Sequence, residues 1–363
     1  MPDSVRRWLP KAASGPLAIV LFVAVMSRLV VAIAMLTATP PQAGAYALDA
    51  SWPFVTWDGP WYLSIVKNGY HAYALDSGHP DFAFFPLWPV AIIAGSLFGL
   101  LDPGFVAPLL STALFLLAII VVFRLLERRF GPSTAQRATI LLALAPGATA
   151  FTLAYSESLY VLLAAAALFV GVATRRGIVL VILASLTRLV GPALSLAALP
   201  DVRSRPRLAL IALAAGPVTF LVWCGFIWHL TGDPLGYMRG SPAWWAGSEF
   251  LSGPMSAFQA VFVTTNGLAL LVAWVAMFLA LISIAGGLML LRRAPDLGLY
   301  VLGVLAPTIL VGNWPTWPRL LLAAFPALVV LTRSRAVFLT SALAFGALQV
   351  LFARWQASIT LVP

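Results

Sequence analysis

The sequence is short of charged residues, cysteine and histidine. Charged residues make up 9% of its 363 positions and hydrophobic residues 61%, whereas soluble domains carry about 25% charged and about 45–50% apolar residues. The mean hydropathy is +0.97. These values exclude a soluble enzyme and a disordered chain. The single cysteine, Cys224, excludes a disulfide framework and a multi-cysteine metal site, and three histidines leave little for a histidine-based metal cluster.

The charges that are present are mostly positive and unevenly placed. There are 22 Lys and Arg residues against 12 Asp and Glu, a net charge of +10, which in a soluble protein would suggest nucleic-acid binding. With the N-terminus in the cytoplasm, most basic residues fall between apolar runs on the cytoplasmic side and most acidic residues fall outside, as the positive-inside rule requires. The basic excess therefore predicts orientation, and no nucleic-acid partner is expected.

Apolar runs of about 20 residues predict membrane-spanning helices. The first, residues 15–38, is too long for the apolar core of a signal peptide and is interpreted as a retained span. The runs predict an all-α polytopic membrane protein of about 11 spans in a single membrane domain over residues 1–363. Its predicted parts are the first span (15–38), an outer loop (39–104), core spans (105–230), a second outer segment (231–266) and C-terminal spans (267–353).

The run at 82–101 is apolar enough to span, yet counting it as a span would reverse the side of every later loop. We interpret it as a helix lying at the outer membrane face, held by Pro86, Pro89 and its aromatic residues. Both outer segments are rich in Trp, Tyr, Phe, Pro and Gly, whereas the cytoplasmic connections are short and basic. Function is therefore expected on the outer side.

One acid among aromatic residues marks the first outer loop. The stretch WDGPWYLSIVKNGY begins at Trp57 and is followed by FFPLWP from Phe84. An acid in such surroundings near a membrane surface can act as a general base. The alternative is a loop acid that caps a short helix, and spacing alone does not separate the two.

Two further charged residues lie at the outer ends of predicted spans. Glu157, in the stretch YSES that begins at Tyr155, is either a buried functional acid or an exposed turn residue with serine caps. Arg319 either recognises phosphate through its planar guanidinium or anchors its helix at the interface.

Two arginines lie within predicted spans, where an arginine costs about 2.5–3.5 kcal/mol on insertion scales. Arg188 stands before a break at Gly191-Pro192 and either faces an anion or pairs with a carbonyl. Arg28 has the same two interpretations, and the structural one is favoured for it.

Four stretches occur in an order that resembles the PIG-V family, GPI mannosyltransferase II and its bacterial relatives. They are WDGPWYLSIVKNGY…FFPLWP, LAPGATAFTLAYSESLYVLL, LASLTRLVGPAL and PRLLLAAFPAL. The first block and YSES together are the most specific part. Eukaryotic members have a stretch like Arg-Ser-Asn-Gly where this chain has Arg188-Leu189-Val190-Gly191. This difference bears on the identity of the acceptor more than on the chemistry of sugar transfer.

The resemblance implies a GT-C fold and an inverting transfer of a sugar, mannose in this family, from a polyprenyl-phosphate donor. It also implies that Asp58 is the family's key acid, which would deprotonate the acceptor hydroxyl. The phosphate leaving group then needs positive charge. The candidates for phosphate binding are Arg319, Arg188 and Lys67. The candidates for sugar or acceptor binding are Glu157, Tyr155, Trp57, Tyr62, Tyr70 and Phe84.

No metal and no cofactor are expected, because donors with one phosphate need no metal in this class and the chain has no dense acid cluster. The expected partners are membrane lipid, the polyprenyl-phosphate-linked donor and a lipid or glycan acceptor. The expected location is a bacterial plasma membrane, with the N-terminus in the cytoplasm and the active site on the extracytoplasmic face.

Two alternatives stay open. A flippase or transporter of lipid-linked sugar would suit the intramembrane Arg28 and Arg188 and the broken helix. A non-catalytic subunit of a glycosylation complex would keep the fold without the activity.

Overall fold

The computed structural model describes residues 15–39, 53–71, 79–241, 253–263, 266–310 and 313–358, and every regular element within these ranges is helical. The α-helices are α1 (Gly15–Leu36), α2 (Asp58–Asn68), α3 (Leu87–Gly95), α4 (Pro103–Phe130), α5 (Pro132–Leu144), α6 (Glu157–Val170), α7 (Arg175–Ser185), α8 (Pro206–Thr231), α9 (Gly236–Gly240), α10 (Gly253–Val263), α11 (Gly267–Arg293), α12 (Pro295–Leu310), α13 (Trp317–Leu320) and α14 (Arg335–Ala357). Short 3-10 helices cover Asp81–Ala83, Pro146–Phe151, Gly191–Val202, Trp314–Thr316 and Leu321–Thr332.

Parts of both predicted outer segments lie outside the described residues. These parts are residues 40–52, 72–78, 242–252 and 264–265. The N-terminal basic residues that contribute to the predicted orientation, Arg6, Arg7 and Lys11, also lie outside them.

Six helical segments are long and apolar enough to cross a membrane: α1, α4, α8, α11, α14 and the segment Trp314–Thr332. They have 19 to 28 residues, against a hydrocarbon core that about 20 helical residues cross. Large apolar side chains on them, such as Phe22, Leu221 and Leu281, are exposed, as expected where lipid rather than water is the neighbour. The chain is therefore an all-α, multi-pass membrane protein, as predicted. The larger number of spans stays a prediction.

The segment Trp314–Thr332 lies inside the bundle. In its most apolar window 83% of the residues are buried, compared with 28–44% in the other five candidate spans. The segment includes α13 and a 3-10 stretch that packs against α5, α11 and α12. A side chain on this element is therefore surrounded by protein rather than by lipid.

The stretch 82–101 forms a helix too short to span. Its helix α3 has nine residues, about 14 Å of helix against a core of ~30 Å. Its second residue, Trp88, is fully buried, and the Nε1 of Trp88 donates to the carbonyl of Ala154 at 3.1 Å. Helix α3 is thus held against the protein, and its position at the membrane face stays a prediction.

Prolines interrupt the helices at the end of the bundle that carries α2 and α3. Helix α5 stops at Leu144, just before Pro146, and regular helix resumes at Glu157. Helix α7 stops at Ser185, and the next helical segment begins at Gly191 with Pro192 as its second residue. A proline cannot donate to the preceding turn. Two stretches of irregular backbone are therefore available to hold side chains there.

Arg28 of α1 stabilises the first of these interruptions. Its side chain is 5% exposed and donates to the carbonyls of Ala143 (3.1 Å) and Ala148 and to Thr152 Oγ1 (3.0 Å). Its guanidinium also lies 4.8 Å from the centre of the Phe115 ring. Carbonyls at the end of a helix carry partial negative charge. Arg28 therefore has the structural role that was favoured for it from sequence.

Gly147 allows the interrupted stretch to touch the central segment. A Cβ atom at this position would overlap the backbone of Pro318 and Arg319. Only glycine leaves this space free, so the close approach of residues 146–151 to α13 depends on it. This approach fixes the backbone that carries Arg319.

We expect Gly147→Ala to lower the thermal unfolding midpoint of the detergent-purified protein. The added methyl group must push α13 away, an overpacking that costs about 1–3 kcal/mol. The matched control is Gly225→Ala in α8, where no heavy atom lies within 4 Å of the new Cβ. Equal midpoints for the two variants would show that the contact is not tight.

Candidate active site

Two carboxylates and two guanidinium groups meet at the interrupted end of the bundle. The Oδ2 of Asp58 lies 2.5 Å from Nη1 of Arg319. The Oε1 of Glu157 lies 3.3 Å from Nε of Arg319 and 2.6 Å from Nη1 of Arg188. These four residues form one chain of alternating charge, here called the charge cluster, whose formal charges cancel.

The charge cluster is assembled from four separate parts of the chain. Asp58 is the first residue of α2 and Glu157 the first residue of α6. Both carboxylates therefore lie where the helix macrodipole favours negative charge. Arg188 follows α7, and Arg319 belongs to α13 in the buried central segment. The structure thus brings together the predicted base and two of the three predicted phosphate ligands.

The members of the charge cluster differ in accessibility. The side chain of Asp58 is 25% exposed and that of Arg188 14%, whereas those of Arg319 and Glu157 are 9% and 4% exposed. A ligand would therefore meet Asp58 and Arg188 first. Glu157 lies at the back of the site, which excludes the exposed-turn interpretation of this residue.

Glu157 has unused hydrogen-bonding capacity. Its Oε1 is paired with Arg188 and Arg319, but its Oε2 has no hydrogen-bond partner among the described residues. A buried polar atom normally has one. The Oε2 atom therefore marks a position where a hydroxyl group of a ligand would be stabilised.

Ser156 connects the charge cluster to helix α2. Its Oγ accepts hydrogen bonds from the hydroxyl of Tyr62 (3.0 Å) and from Nη1 of Arg188 (3.1 Å). Burial raises the pKa of the Tyr62 hydroxyl above its usual value, so the group stays protonated and donates. Ser156 belongs to the YSES stretch but was not selected from sequence.

Tyr155 fastens the loop before Asp58 to the interrupted stretch. Its hydroxyl donates to the carbonyl of Thr56 at 3.1 Å and accepts from the backbone N–H of Asp58 at 3.4 Å. Burial raises the pKa of this hydroxyl, with a further contribution from the Asp58 carboxylate. The Arg319 guanidinium lies 5.1 Å from the ring centre. Tyr155 is fully buried, so the structure gives it a positioning role, and direct contact with a sugar stays a prediction.

The turn that presents Asp58 is strained and tightly packed. Trp57 has φ of 53° and ψ of −103°, a left-handed conformation that costs a non-glycine residue of order 1–3 kcal/mol. A Cβ at Gly59 would lie 3.2 Å from Cγ1 of Val55 and 3.5 Å from Cβ of Ala154. The turn is thus held close to the interrupted stretch, which over-determines the position of the carboxylate.

Three of the predicted aromatic residues form one group beside the charge cluster. Tyr62 packs edge-on to Phe84, with ring centres 5.0 Å apart. The hydroxyl of Tyr70 donates to the carbonyl of Phe84 at 2.7 Å. Trp57, the fourth predicted member, packs instead against the main core.

Lys67 is not brought to the charge cluster. It lies nine residues after Asp58 on helix α2, a rise of about 13 Å. It is exposed and forms no ion pair with any carboxylate in the ranges that the structure covers. Its predicted role in phosphate binding therefore has no geometric support.

No group of three His, Cys, Asp or Glu side chains converges within the described residues. The expectation that the reaction needs no metal stays an expectation.

A second buried acid, Asp81, accepts from the backbone N–H of His71 at 3.1 Å. It is a residue that the sequence reasoning did not select.

Residues 19–194 match the family model described as mannosyltransferase (PIG-V). The predicted resemblance is confirmed over this range, which contains Asp58, Glu157 and Arg188, whereas Arg319 lies beyond it. The match supports a glycosyltransferase of the mannosyl type. No curated protein matches the chain.

Among solved structures, the chain is similar to the oligosaccharyltransferase of Archaeoglobus fulgidus. That enzyme in complex with an inhibitory peptide and a dolichol-phosphate matches with a TM-score of 0.51 at 13% identity, over 93% of this chain and 56% of that chain. Its apo form matches with a TM-score of 0.50 at the same identity and coverage. The chain therefore spans little more than half the length of these neighbours. The likeness shows the fold alone, which is GT-C-like as predicted.

We expect Arg188→Gln to destabilise the folded protein by about 3 kcal/mol, because it leaves a buried carboxylate with one guanidinium instead of two. Thermal unfolding of the purified protein measures the loss. In the double variant Arg188→Gln/Glu157→Gln, the loss should be smaller than the sum of the two single losses.

The matched control is Arg239→Gln, which breaks a 3.0 Å pair with Asp233 in which the arginine side chain is 64% exposed. Exposed pairs contribute about 0–1 kcal/mol. If Arg188→Gln and Arg239→Gln cost the same, the charge cluster does not behave as a buried network.

Proposed function

We propose that this chain is an inverting mannosyltransferase that moves a sugar from a polyprenyl-phosphate donor to a hydroxyl of a lipid or glycan acceptor on the extracytoplasmic face. The observation that carries the proposal is the charge cluster, which lies in a chain whose first half matches a mannosyltransferase family. A single displacement at the anomeric carbon needs a base and a phosphate-binding group, and the cluster has both.

Asp58 is the proposed general base. It is the most exposed member of the charge cluster, and its carboxylate is held at the start of a helix by a strained turn. In the reaction, the acceptor oxygen forms a bond to the anomeric carbon while its proton passes to Asp58. The bond from that carbon to the phosphate oxygen breaks, and the configuration inverts.

Arg319 and Arg188 are the proposed ligands of the donor phosphate. Negative charge increases on the phosphate as it leaves, and fixed cations in a site with little water stabilise it. Both guanidinium groups contact Oε1 of Glu157. Both are therefore held in place before a donor arrives, which lowers the reorganisation needed during the reaction.

Glu157 is the proposed ligand of a sugar or acceptor hydroxyl. Its Oε2 is buried without a hydrogen-bond partner in the described part of the chain. A hydroxyl donor would satisfy it. The aromatic group of Tyr62, Tyr70 and Phe84 forms an adjoining wall suited to the apolar face of a sugar or to the first prenyl units.

The donor class has support from a structural neighbour. The archaeal oligosaccharyltransferase was solved with a dolichol-phosphate, and its fold is similar to that of this chain. A lipid donor of this kind would enter the site from the bilayer. This fits a charge cluster on a bundle with exposed apolar helices.

The proposed base, Asp58, and the proposed phosphate ligand, Arg319, form an ion pair with each other when no donor is bound. Asp58 Oδ2 and Arg319 Nη1 are 2.5 Å apart, so the guanidinium occupies one lone pair of this oxygen and competes with the hydroxyl of an acceptor for it. A donor phosphate that binds Arg319 would release Asp58. The geometry therefore favours an order in which the donor binds first.

The helix break that suggested a transporter is present, but the two arginines that suggested it do not support one. Arg28 is bonded to backbone carbonyls, and Arg188 is paired with Glu157. Neither guanidinium group is therefore free to bind a substrate that crosses the membrane. The alternative of a non-catalytic subunit is tested by activity.

We expect Asp58→Asn to lower turnover at least about 100-fold, since a general base contributes about 10²–10⁴-fold. The assay follows radiolabelled mannose from polyprenyl-phosphate mannose into the lipid and glycan fractions of membranes that lack the endogenous chain. The matched control is Asp102→Asn, the same chemical change at the cap of α4, where asparagine caps equally well.

Retention of more than about a tenth of the wild-type turnover by Asp58→Asn would overturn its assignment as the base, because that loss is smaller than base removal causes. Transfer by the wild type from a glucose or arabinose donor, but not from the mannose donor, would correct the sugar. Movement of the donor between bilayer leaflets with no glycosidic bond formed would favour the transporter.

We expect Asp58→Asn to bind the donor more tightly than the wild type, by up to about tenfold, because loss of the competing carboxylate frees Arg319; tenfold is ~1.4 kcal/mol. Arg319→Gln should weaken binding. Tryptophan fluorescence of the purified protein, titrated with polyprenyl-phosphate mannose, measures both. Lys67→Gln is the control and should leave the affinity unchanged. Equal weakening by Asp58→Asn and Arg319→Gln would contradict the donor-first order.

A further inference from the structure

A cavity of about 450 Å³ lies at the end of the bundle away from the charge cluster. It is lined by Arg128 of α4, by Phe169 and Val170 of α6, and by Thr174, Arg175 and Arg176 at the start of α7. Its volume falls in the range of small-ligand sites, about 300–1,000 Å³. Nothing in the proposed reaction uses it.

Helices α6 and α7 both connect the cavity to the charge cluster, and their lengths separate the two. Helix α6 begins at Glu157 and ends at Val170, so its 14 residues span about 20 Å. Helix α7 begins at the cavity with Arg175 and ends three residues before Arg188. The cavity is therefore a separate site and not an extension of the charge cluster.

The arginines of the cavity lack the acidic partners that their neighbours have. Arg124 pairs with Glu127 at 2.8 Å, and Arg129 pairs with Asp296 at 2.5 Å. The three arginines of the cavity are exposed, and in the described part of the chain the structure shows no such pair for them. Three positive charges around one cavity repel each other, and an anion between them would relieve this repulsion.

Two of these arginines occupy an unfavourable position on their helix. Arg175 and Arg176 are the first two residues of α7, where the macrodipole is positive and acidic residues are preferred. The Oγ1 of Thr174 accepts the N–H of Gly177 at 3.0 Å. A bound anion would be stabilised by this helix end together with the two guanidinium groups.

The cavity also has an apolar wall. Phe169 and Val170 line it, and the Arg128 guanidinium lies 5.9 Å from the centre of the Phe169 ring. A free inorganic anion has no apolar surface that could pack against Phe169 and Val170. A lipid places a charged phosphate and an apolar chain next to each other, which matches three arginines beside Phe169 and Val170.

We propose that this cavity binds the phosphate headgroup of an anionic membrane lipid, with the start of an acyl chain against Phe169. The arginines then have a second role besides orientation of the chain. The binding is independent of sugar transfer, so the test reads lipid retention rather than activity.

The experiment measures lipids that stay bound to the purified protein by native mass spectrometry, with phosphatidylglycerol or phosphatidylcholine added to the detergent. The wild type should retain phosphatidylglycerol preferentially. Arg128→Gln/Arg175→Gln/Arg176→Gln should bind it at least about tenfold more weakly, since each basic residue near a membrane surface contributes severalfold. The matched control is Arg203→Gln/Arg205→Gln/Arg207→Gln, which removes three exposed arginines elsewhere and should retain the lipid.

A second variant, Phe169→Ala, keeps every charge and should also reduce retention, so the proposal stays testable where the triple variant fails to insert. Equal losses from the two arginine triples would overturn the proposal, because general surface charge would then explain retention. Equal retention of phosphatidylcholine, or full displacement of phosphatidylglycerol by inorganic phosphate, would also overturn it.

Discussion

Arg319 holds two carboxylates at once inside an apolar bundle, and the site depends on this contact. A single buried arginine would be costly, as would either carboxylate alone. Because Asp58 and Glu157 both begin helices, the bond to Arg319 fixes the start of α2 relative to the start of α6. The start of α2 is thus joined to the core through charges as well as through the apolar contacts of Tyr62 and Ile65.

The position of Arg319 depends on the irregular backbone of residues 146–151, which interrupts an otherwise helical bundle. Non-helical backbone at such depth is tolerated where protein surrounds it. Arg28 donates to buried backbone carbonyls at this interruption, and Gly147 lets the stretch approach Arg319 closely. Arg28 donates to this segment, and Gly147 belongs to it. Neither is part of the charge cluster, yet both determine where its central arginine lies.

Composition was enough to predict an all-α membrane protein, and the side of the membrane that charge placement gives the site stays a prediction. Gly191-Pro192 predicted the second interruption, because a missing N–H is a local property, whereas the interruption at Pro146 was not predicted. Asp58 and Glu157 are found in short, specific stretches. Their pairing with Arg319 was beyond sequence reasoning, since 261 residues separate Asp58 from that arginine and no periodicity links them.

Lys67 shows that closeness in sequence is not closeness to the site. It is nine residues after Asp58, and nine residues of regular helix are about two and a half turns and a rise of about 13 Å, so its role in phosphate binding stays a prediction without geometric support. Ser156 shows the opposite case. It has no charge to draw attention, and only the three-dimensional structure reveals that it accepts from both Tyr62 and Arg188.

The difference in exposure between the two acids has a consequence for turnover. A base that has taken a proton must lose it before the next cycle, and a proton leaves most easily to water. Asp58, one quarter exposed, has that exit, whereas Glu157, at 4%, has none. In the roles proposed above, the different depths of the two carboxylates would separate an acid that exchanges protons from an acid that only binds. In the proposed reaction, recovery of the site would proceed through Asp58 alone.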